Sequence, residues 1–137
     1  MALSPRRRAR ELVLKGLYAW DVGVTDAGEV KRTIITDDSL SSQTLQFAHT
    51  LFSLVCDNHD WADRVISSLA ENWDIERVAK IDRNILRMGL VELKEMPDVP
   101  IKVVLNEAIE LAKKYSTGES SAFINGILDS FVKKLPK

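Results

Sequence analysis

Apolar residues recur at intervals of three and four along most of the chain, which is the spacing of one helix face. Near the start these positions are Ala9, Leu12, Val13, Gly16, Leu17 and Trp20. They predict an amphipathic helix over residues 6–22, with Ser4 as a candidate N-cap and Pro5 tolerated in the first turn. Gly23 and the polar residues after it end this pattern. Val30, Ile34 and Ile35 then suggest a short second helix.

The middle of the chain carries two further apolar stripes. The first comprises Leu45, Ala48, Leu51, Phe52 and Val55, and the second comprises Trp61, Val65, Ile66, Leu69 and Trp73. We interpret them as a third and a fourth helix, with Asp37, Asp38 and Ser39 as candidate caps of the third. Residues 77–96 are apolar on more than one side, so this helix is predicted to be the central one.

The last third of the chain predicts two more helices. Pro97 and Pro100 bracket a turn before the stripe Ile101, Val104, Leu105, Ala108, Leu111, Ala112 and Tyr115. A final helix is expected to bury Phe123, Ile124, Ile127, Leu128 and Phe131. No stretch alternates as a strand would. The pattern therefore predicts an all-α fold of about seven helices, with residues 1–137 as one domain.

Positive charge is concentrated at the start of the chain. The first sixteen residues hold five basic residues and one acidic residue, whereas residues 17–137 hold 14 basic and 19 acidic residues, a net charge of −5. Four of the early cations are arginine, whose planar fork suits phosphates and bases. This asymmetry predicts an anionic partner for the first helix, but it does not distinguish DNA, RNA and an acidic protein.

Candidate chemistry is sparse. Cys56, Asp57, His59 and Asp60 are close in sequence, but at a predicted helix end they cannot all face one metal ion. There is no glycine-rich phosphate loop, and Asp82 and Glu92 are interpreted as surface or ion-paired groups rather than an acid/base pair. Cys56, the only cysteine, is expected to be a small core residue. We expect no enzyme, no metal, no cofactor and no membrane span, and hence a cytoplasmic protein.

Several ordered motifs resemble the NusB family of bacterial transcription antitermination factors. They are Arg6-Arg7-Arg8-Ala9-Arg10-Glu11 leading to Ala19-Trp20, Asp82-Arg83-Asn84-Ile85-Leu86-Arg87 with Glu92-Leu93, Asp98-Val99-Pro100, Asn106-Glu107-Ala108-Ile109-Glu110-Leu111-Ala112-Lys113 and Phe123-Ile124-Asn125-Gly126-Ile127-Leu128-Asp129. The resemblance implies two packed helical halves. It also implies an adapter that binds the single-stranded boxA element of ribosomal RNA leader transcripts, together with ribosomal protein NusE, in the RNA polymerase antitermination complex.

The resemblance also assigns residues to these roles. RNA contacts would come from Arg6, Arg7, Arg8, Arg10, Glu119 and Phe123, and NusE contacts from Tyr18 and Asp82. Core packing is an equal alternative for Phe123. For Asp82 the alternatives are a local pair with Arg83 or Arg87, or a charge at the helix start.

Some features depart from the family or leave its function open. Many members have glycine at the position of Ser116 and lysine at that of Ala122. A homodimer is possible, since some members dimerise over their RNA surface. The alternatives are the NusB-like domain of a ribosomal RNA cytosine methyltransferase, a metal-dependent RNA-processing enzyme, and a free-standing RNA-binding or protein-interaction domain without an antitermination role.

Overall fold

The computed structural model describes residues 4–23, 25–70 and 78–135. Within these ranges the chain forms six α-helices and no strand, so the all-α prediction is confirmed. The helices are α1 (Pro5–Asp21), α2 (Ala27–Thr33), α3 (Ser42–Leu69), α4 (Lys80–Glu95), α5 (Ile101–Tyr115) and α6 (Gly118–Lys133). None of them is long and apolar enough to cross a membrane.

The predicted third and fourth helices are one continuous helix, which accounts for the lower helix count. Helix α3 runs for 28 residues through the polar stretch 56–60, where we had placed a helix end. That stretch contains neither proline nor glycine, so nothing in it stops the helix. The cap also differs from the prediction, because the Ser41 hydroxyl accepts a hydrogen bond from the Thr44 amide at 3.1 Å. Trp73, assigned to this pattern, lies outside the described residues.

The structure divides into two compact units within α3, the first ending at Asp57 and the second beginning at Asn58. In the first unit, α1 packs against α2 at a close approach. A Cβ atom on Gly16 would lie 2.7 Å from Val30 Cγ1, so only glycine fits at this contact without a shift. Gly23, just after α1, has a φ of 76°, which glycine adopts without strain.

In the second unit, α4 packs against both α5 and α6. Every residue from Asp82 to Glu92 is buried, which confirms that this helix is central. Asp82 and Glu92 are only 7% and 2% exposed, so the interpretation of these two carboxylates as surface groups is wrong. The buried Arg87 guanidinium binds Asp63 of α3 through two hydrogen bonds, of 2.7 and 2.6 Å.

Candidate nucleic-acid interface

The first two turns of α1 carry the arginine cluster, which we define as Arg6, Arg7, Arg8 and Arg10. Ser4 caps the helix as predicted, since its hydroxyl accepts a hydrogen bond from the Arg7 amide at 3.2 Å. The first turn contains no acidic residue, so its cations lie at the positive end of the helix dipole. Carboxylates from outside that turn compensate Arg8, and an anion bound at this helix end would add to that compensation.

The four arginines differ in exposure. Arg6 is exposed, Arg7 and Arg8 are half-buried, and Arg10 is only 3% exposed. Arg10 shares its buried face of α1 with Leu14 one turn later. Arg6 and Arg7 are therefore the members of the cluster best placed for phosphates.

Two carboxylates already hold Arg8. Its Nε donates to Asp37 Oδ2 at 3.0 Å, and its NH1 donates to Glu11 Oε1 at 3.4 Å. Hydrogen bonding to Asp37 is the main cause that raises the pKa of Arg8. An RNA phosphate must compete with these carboxylates for the Arg8 guanidinium.

Asp37 lies in the loop between α2 and α3, where Ser39 holds it. Its Oδ1 accepts hydrogen bonds from the Ser39 hydroxyl at 2.6 Å and from the Ser39 amide at 2.9 Å. These bonds, followed by the one from Arg8, lower the pKa of Asp37 to about 2. The loop is anchored nearby by His49, whose Nε2 donates to the carbonyl oxygen of Ile35 at 2.8 Å. Asp37 therefore remains charged at neutral pH, and it binds the arginine cluster, a contact that the sequence analysis did not predict when it named Asp37 as a candidate cap.

Phe47 of α3 supports two members of the arginine cluster. The Arg6 Cζ lies 4.2 Å from the centroid of the Phe47 ring, and the Arg10 Cζ lies 5.2 Å from it. Both distances are within the range of cation–π contacts. Sequence reasoning did not select Phe47. Its position outside the predicted apolar stripe of α3 gave no sign of which residue it contacts, because Arg6 is far away in the chain.

The predicted RNA contacts of the second unit lie at the start of α6. Glu119 is exposed. Phe123 is half-buried, so its side chain is partly packed and partly accessible to solvent. Both line a cavity of about 300 Å³ that Asp82 also lines. The structure thus places a residue predicted to contact NusE beside two residues predicted to contact RNA.

Tyr18 and Asp82, the two predicted partner contacts, are in different settings. Tyr18 on α1 is 42% exposed, and Val22 one turn later is 40% exposed, so together they form an apolar surface. The buried Asp82 accepts hydrogen bonds from the hydroxyls of Ser116 at 2.6 Å and Ser120 at 2.7 Å. Its local alternative with Arg87 is not found, since Arg87 binds Asp63 instead. A direct ion pair between Asp82 and a partner would have to reach a carboxylate that is only 7% exposed.

Comparison with known proteins places this arrangement in a family. The model of the NusB family matches residues 7–133. The chain belongs to the NusB family. A transcription antitermination protein NusB from Geotalea uraniireducens is 42% identical over 142 residues, covering 98% of each protein. Its counterpart from Dehalococcoides mccartyi is 38% identical over 132 residues, covering 96% of this chain and 92% of that protein.

Solved structures agree with this assignment. NusB from T. maritima superposes with a TM-score of 0.88 at 34% identity, covering 97% of this chain and 94% of that one. A chain from a crystal structure of the antitermination factors NusB and NusE with double-stranded RNA gives a TM-score of 0.86. That match covers 98% of this chain and 100% of the other, and at 24% identity it shows the shared fold. The family resemblance read from the ordered motifs is therefore confirmed.

The two departures from the NusB pattern, Ser116 and Ala122, differ in their surroundings. Ser116 supplies one of the two hydroxyls that bind Asp82, so a serine here ties the end of α5 to the start of α4. A glycine at this position could not form that bond. Ala122 is exposed on α6 and lines a groove of about 450 Å³ with Phe123 and Gly126. The groove therefore has no cationic side chain from this position.

The candidate metal ligands do not form a site in the part of the chain that the structure describes. The four candidates, Cys56, Asp57, His59 and Asp60, lie in the middle of α3, where side chains at successive positions point in different directions around the helix. Across residues 4–23, 25–70 and 78–135, no group of three or more histidine, cysteine or acidic side chains is arranged to hold a metal ion. Cys56 is half-buried rather than a core residue.

The acid titration of Asp37 is a direct test of the site geometry. Its folded pKa of about 2 lies below the ordinary value of 3.8. The charged form therefore adds stability that is fully present above about pH 4 and is lost as the pH falls through 2. We expect Ser39→Ala to raise the pKa of Asp37 more than Arg8→Ala does, since the Ser39 hydroxyl is the largest cause. Carbon-detected NMR of the carboxyl group would measure both shifts, and the reverse order would contradict the described geometry.

Proposed function

We propose that this protein is a transcription antitermination factor that works as an adapter without a catalytic step. It binds single-stranded, boxA-like RNA of ribosomal RNA leader transcripts through the arginine cluster. It pairs with ribosomal protein NusE and so joins the RNA polymerase antitermination complex in the cytoplasm. The observation that carries the proposal is the arginine cluster held in fixed geometry on α1, in a chain that belongs to the NusB family.

The chemistry of the cluster supports RNA as the ligand. Single-stranded RNA is bound by cations along its backbone and by planar groups on which the unpaired bases stack. Arg6 is exposed and Arg7 is half-buried, and a guanidinium can bind phosphate through two hydrogen bonds or lie flat against a base. The exposed Glu119 and half-buried Phe123 are proposed as RNA contacts of the second unit. Neither role needs a nucleophile or a metal.

RNA binding is tested by titrating the protein with a short single-stranded boxA-like RNA over a range of salt concentrations. If about three phosphates are neutralised, the logarithm of affinity should fall with the logarithm of salt with a slope of roughly −2. A duplex of the same sequence should bind more weakly, because its bases are unavailable for stacking. Absence of binding to the single strand, or an affinity indifferent to salt, would refute the proposal.

The NusE surface is proposed to include Tyr18. We expect Tyr18→Asp to weaken NusE binding by roughly tenfold, because a large exposed aromatic contact is replaced by a charge that must be desolvated. Val103→Asp is a matched control, since Val103 is 39% exposed on α5 and gains the same charge. Isothermal titration with purified NusE measures both variants. Equal affinities of Tyr18→Asp and wild type would place the interface elsewhere.

Asp82 is a less direct test of the partner surface. Because both of its oxygens accept hydrogen bonds inside the second unit, Asp82→Lys would disturb that unit as well as any interface.

The possible homodimer is tested separately by light scattering of the protein alone and with the same RNA. A dimer that dissociates when RNA is added would mean that the RNA surface is covered between copies.

A further inference from the structure

One aromatic ring organises the exposed end of the arginine cluster. The Arg6 Cζ lies over Phe47 at 4.2 Å from the ring centroid, well within cation–π range. Arg10 contacts the same ring at 5.2 Å from the buried part of α1, being only 3% exposed. Arg6 is exposed, so a ligand can reach its side chain.

Contact with the ring restricts a side chain that would otherwise sample many rotamers. A long arginine that is free in solution loses that freedom when it binds, which weakens the complex. Here Phe47 holds the Arg6 guanidinium carbon within cation–π range before the ligand arrives. A guanidinium has two flat faces, so when one face lies against Phe47 the other can accept a second planar group. Lysine cannot substitute in this arrangement, because its ammonium has no plane.

We propose that the stack of Arg6 on Phe47 is a platform for one unpaired nucleobase of single-stranded RNA. Arg6 contacts the base directly, and Phe47 is a positioning residue that fixes the plane of Arg6. The proposal rests on the proposed RNA-binding function and adds a base contact at Arg6 to the phosphate contact proposed for Arg7. The chemistry of recognition is planar stacking, so the platform accepts any base and fails when the base is removed.

The test uses a series of short single-stranded boxA-like RNAs, each with one nucleotide replaced by an abasic site. For wild type, we expect one abasic position to weaken binding by roughly tenfold through loss of stacking. For Phe47→Leu and for Arg6→Lys, removing the base at that position should no longer weaken binding. Both variants keep the number of positive charges, so the salt dependence of binding should match wild type.

Phe47→Tyr serves as the matched control, because it retains the ring and should restore the sensitivity to the missing base. Thermal unfolding of each variant accompanies the titrations. Should Phe47→Leu fail to fold, Arg6→Lys still decides the question, since Arg6 is exposed. These variants should bind NusE as wild type does.

The possible failures can be told apart. If wild type binds no single-stranded RNA, both the proposed function and the platform are wrong. If wild type binds but Phe47→Leu and Arg6→Lys keep its abasic profile, only the platform is overturned. Weaker NusE binding with unchanged RNA binding would likewise overturn the platform, and it would assign the stack to the protein partner.

Discussion

Replacing Asp63 with alanine is expected to lower the free energy of unfolding by about 3 kcal/mol. Arg87 is 3% exposed, and its guanidinium is bound by both oxygens of Asp63. Removal of the carboxylate takes the charge of Asp63 away from a buried cation, and Asn84 Oδ1, at 3.0 Å from Arg87 NH1, is a neutral acceptor. The expected loss is at the lower end of the range for a broken buried ion pair, because the Asp63 side chain is 27% exposed.

Denaturant unfolding followed by circular dichroism measures this effect. Asp60→Ala is the matched control, because it removes a carboxylate from the same helix where the side chain is 82% exposed. A change within about 0.5 kcal/mol is expected for that variant. Asp63→Asn should fall between the two, since it keeps an acceptor but no charge. Equal stability of Asp63→Ala and Asp60→Ala would show that the pair does not hold α3 to α4.

Replacing Arg6 and Arg7 together with alanine is expected to reduce affinity for single-stranded boxA-like RNA by more than about tenfold near 0.1 M salt. Arg6 is exposed and Arg7 is half-buried, and both lie in the first turn of α1. If each residue neutralises one phosphate, the salt slope should become shallower by about 1.4. The melting temperature should change little, since neither side chain belongs to the core.

A double replacement of Lys133 and Lys134 with alanine provides the control for net charge. Both lysines are exposed at the end of the chain, and their loss changes the total charge by the same amount. We expect nearly wild-type RNA affinity from that variant. If the two double variants weaken binding equally, the arginine cluster has no special role and the protein binds RNA through its overall charge. Arg10→Ala is a poorer test, because Arg10 is buried and its loss would affect folding.

The helices were predictable because each buries one face, and burial of a face leaves a period of 3.6 residues in the sequence. This rule located α1, α4, α5 and α6 closely. It failed between the third and fourth stripes, where polar residues in the middle of α3 resembled a helix end. A long helix can carry polar residues on every side over one turn if nothing packs there. Periodicity alone cannot distinguish that case from a loop.

The candidate site was predictable in its charge and less so in its geometry. The arginines could be selected because four cations in five residues are visible in the sequence. The contributions of Asp37 and Phe47 could not, since each acts through a contact with a residue far away in the chain. Asp82 was misjudged for the same reason. Its hydroxyl partners are more than thirty residues away, so the sequence indicated only a surface or ion-paired group.

By itself, the sequence determined the all-α class, the positions of most helices, the NusB family and the basic character of α1, because these properties depend on local order and composition. Only the tertiary structure decided which arginines are accessible, since burial depends on what packs against α1. It also decided that Arg8 is held by Asp37 and that Arg6 lies on Phe47. Such contacts depend on backbone geometry set by the whole unit, and residue spacing carries little information about it.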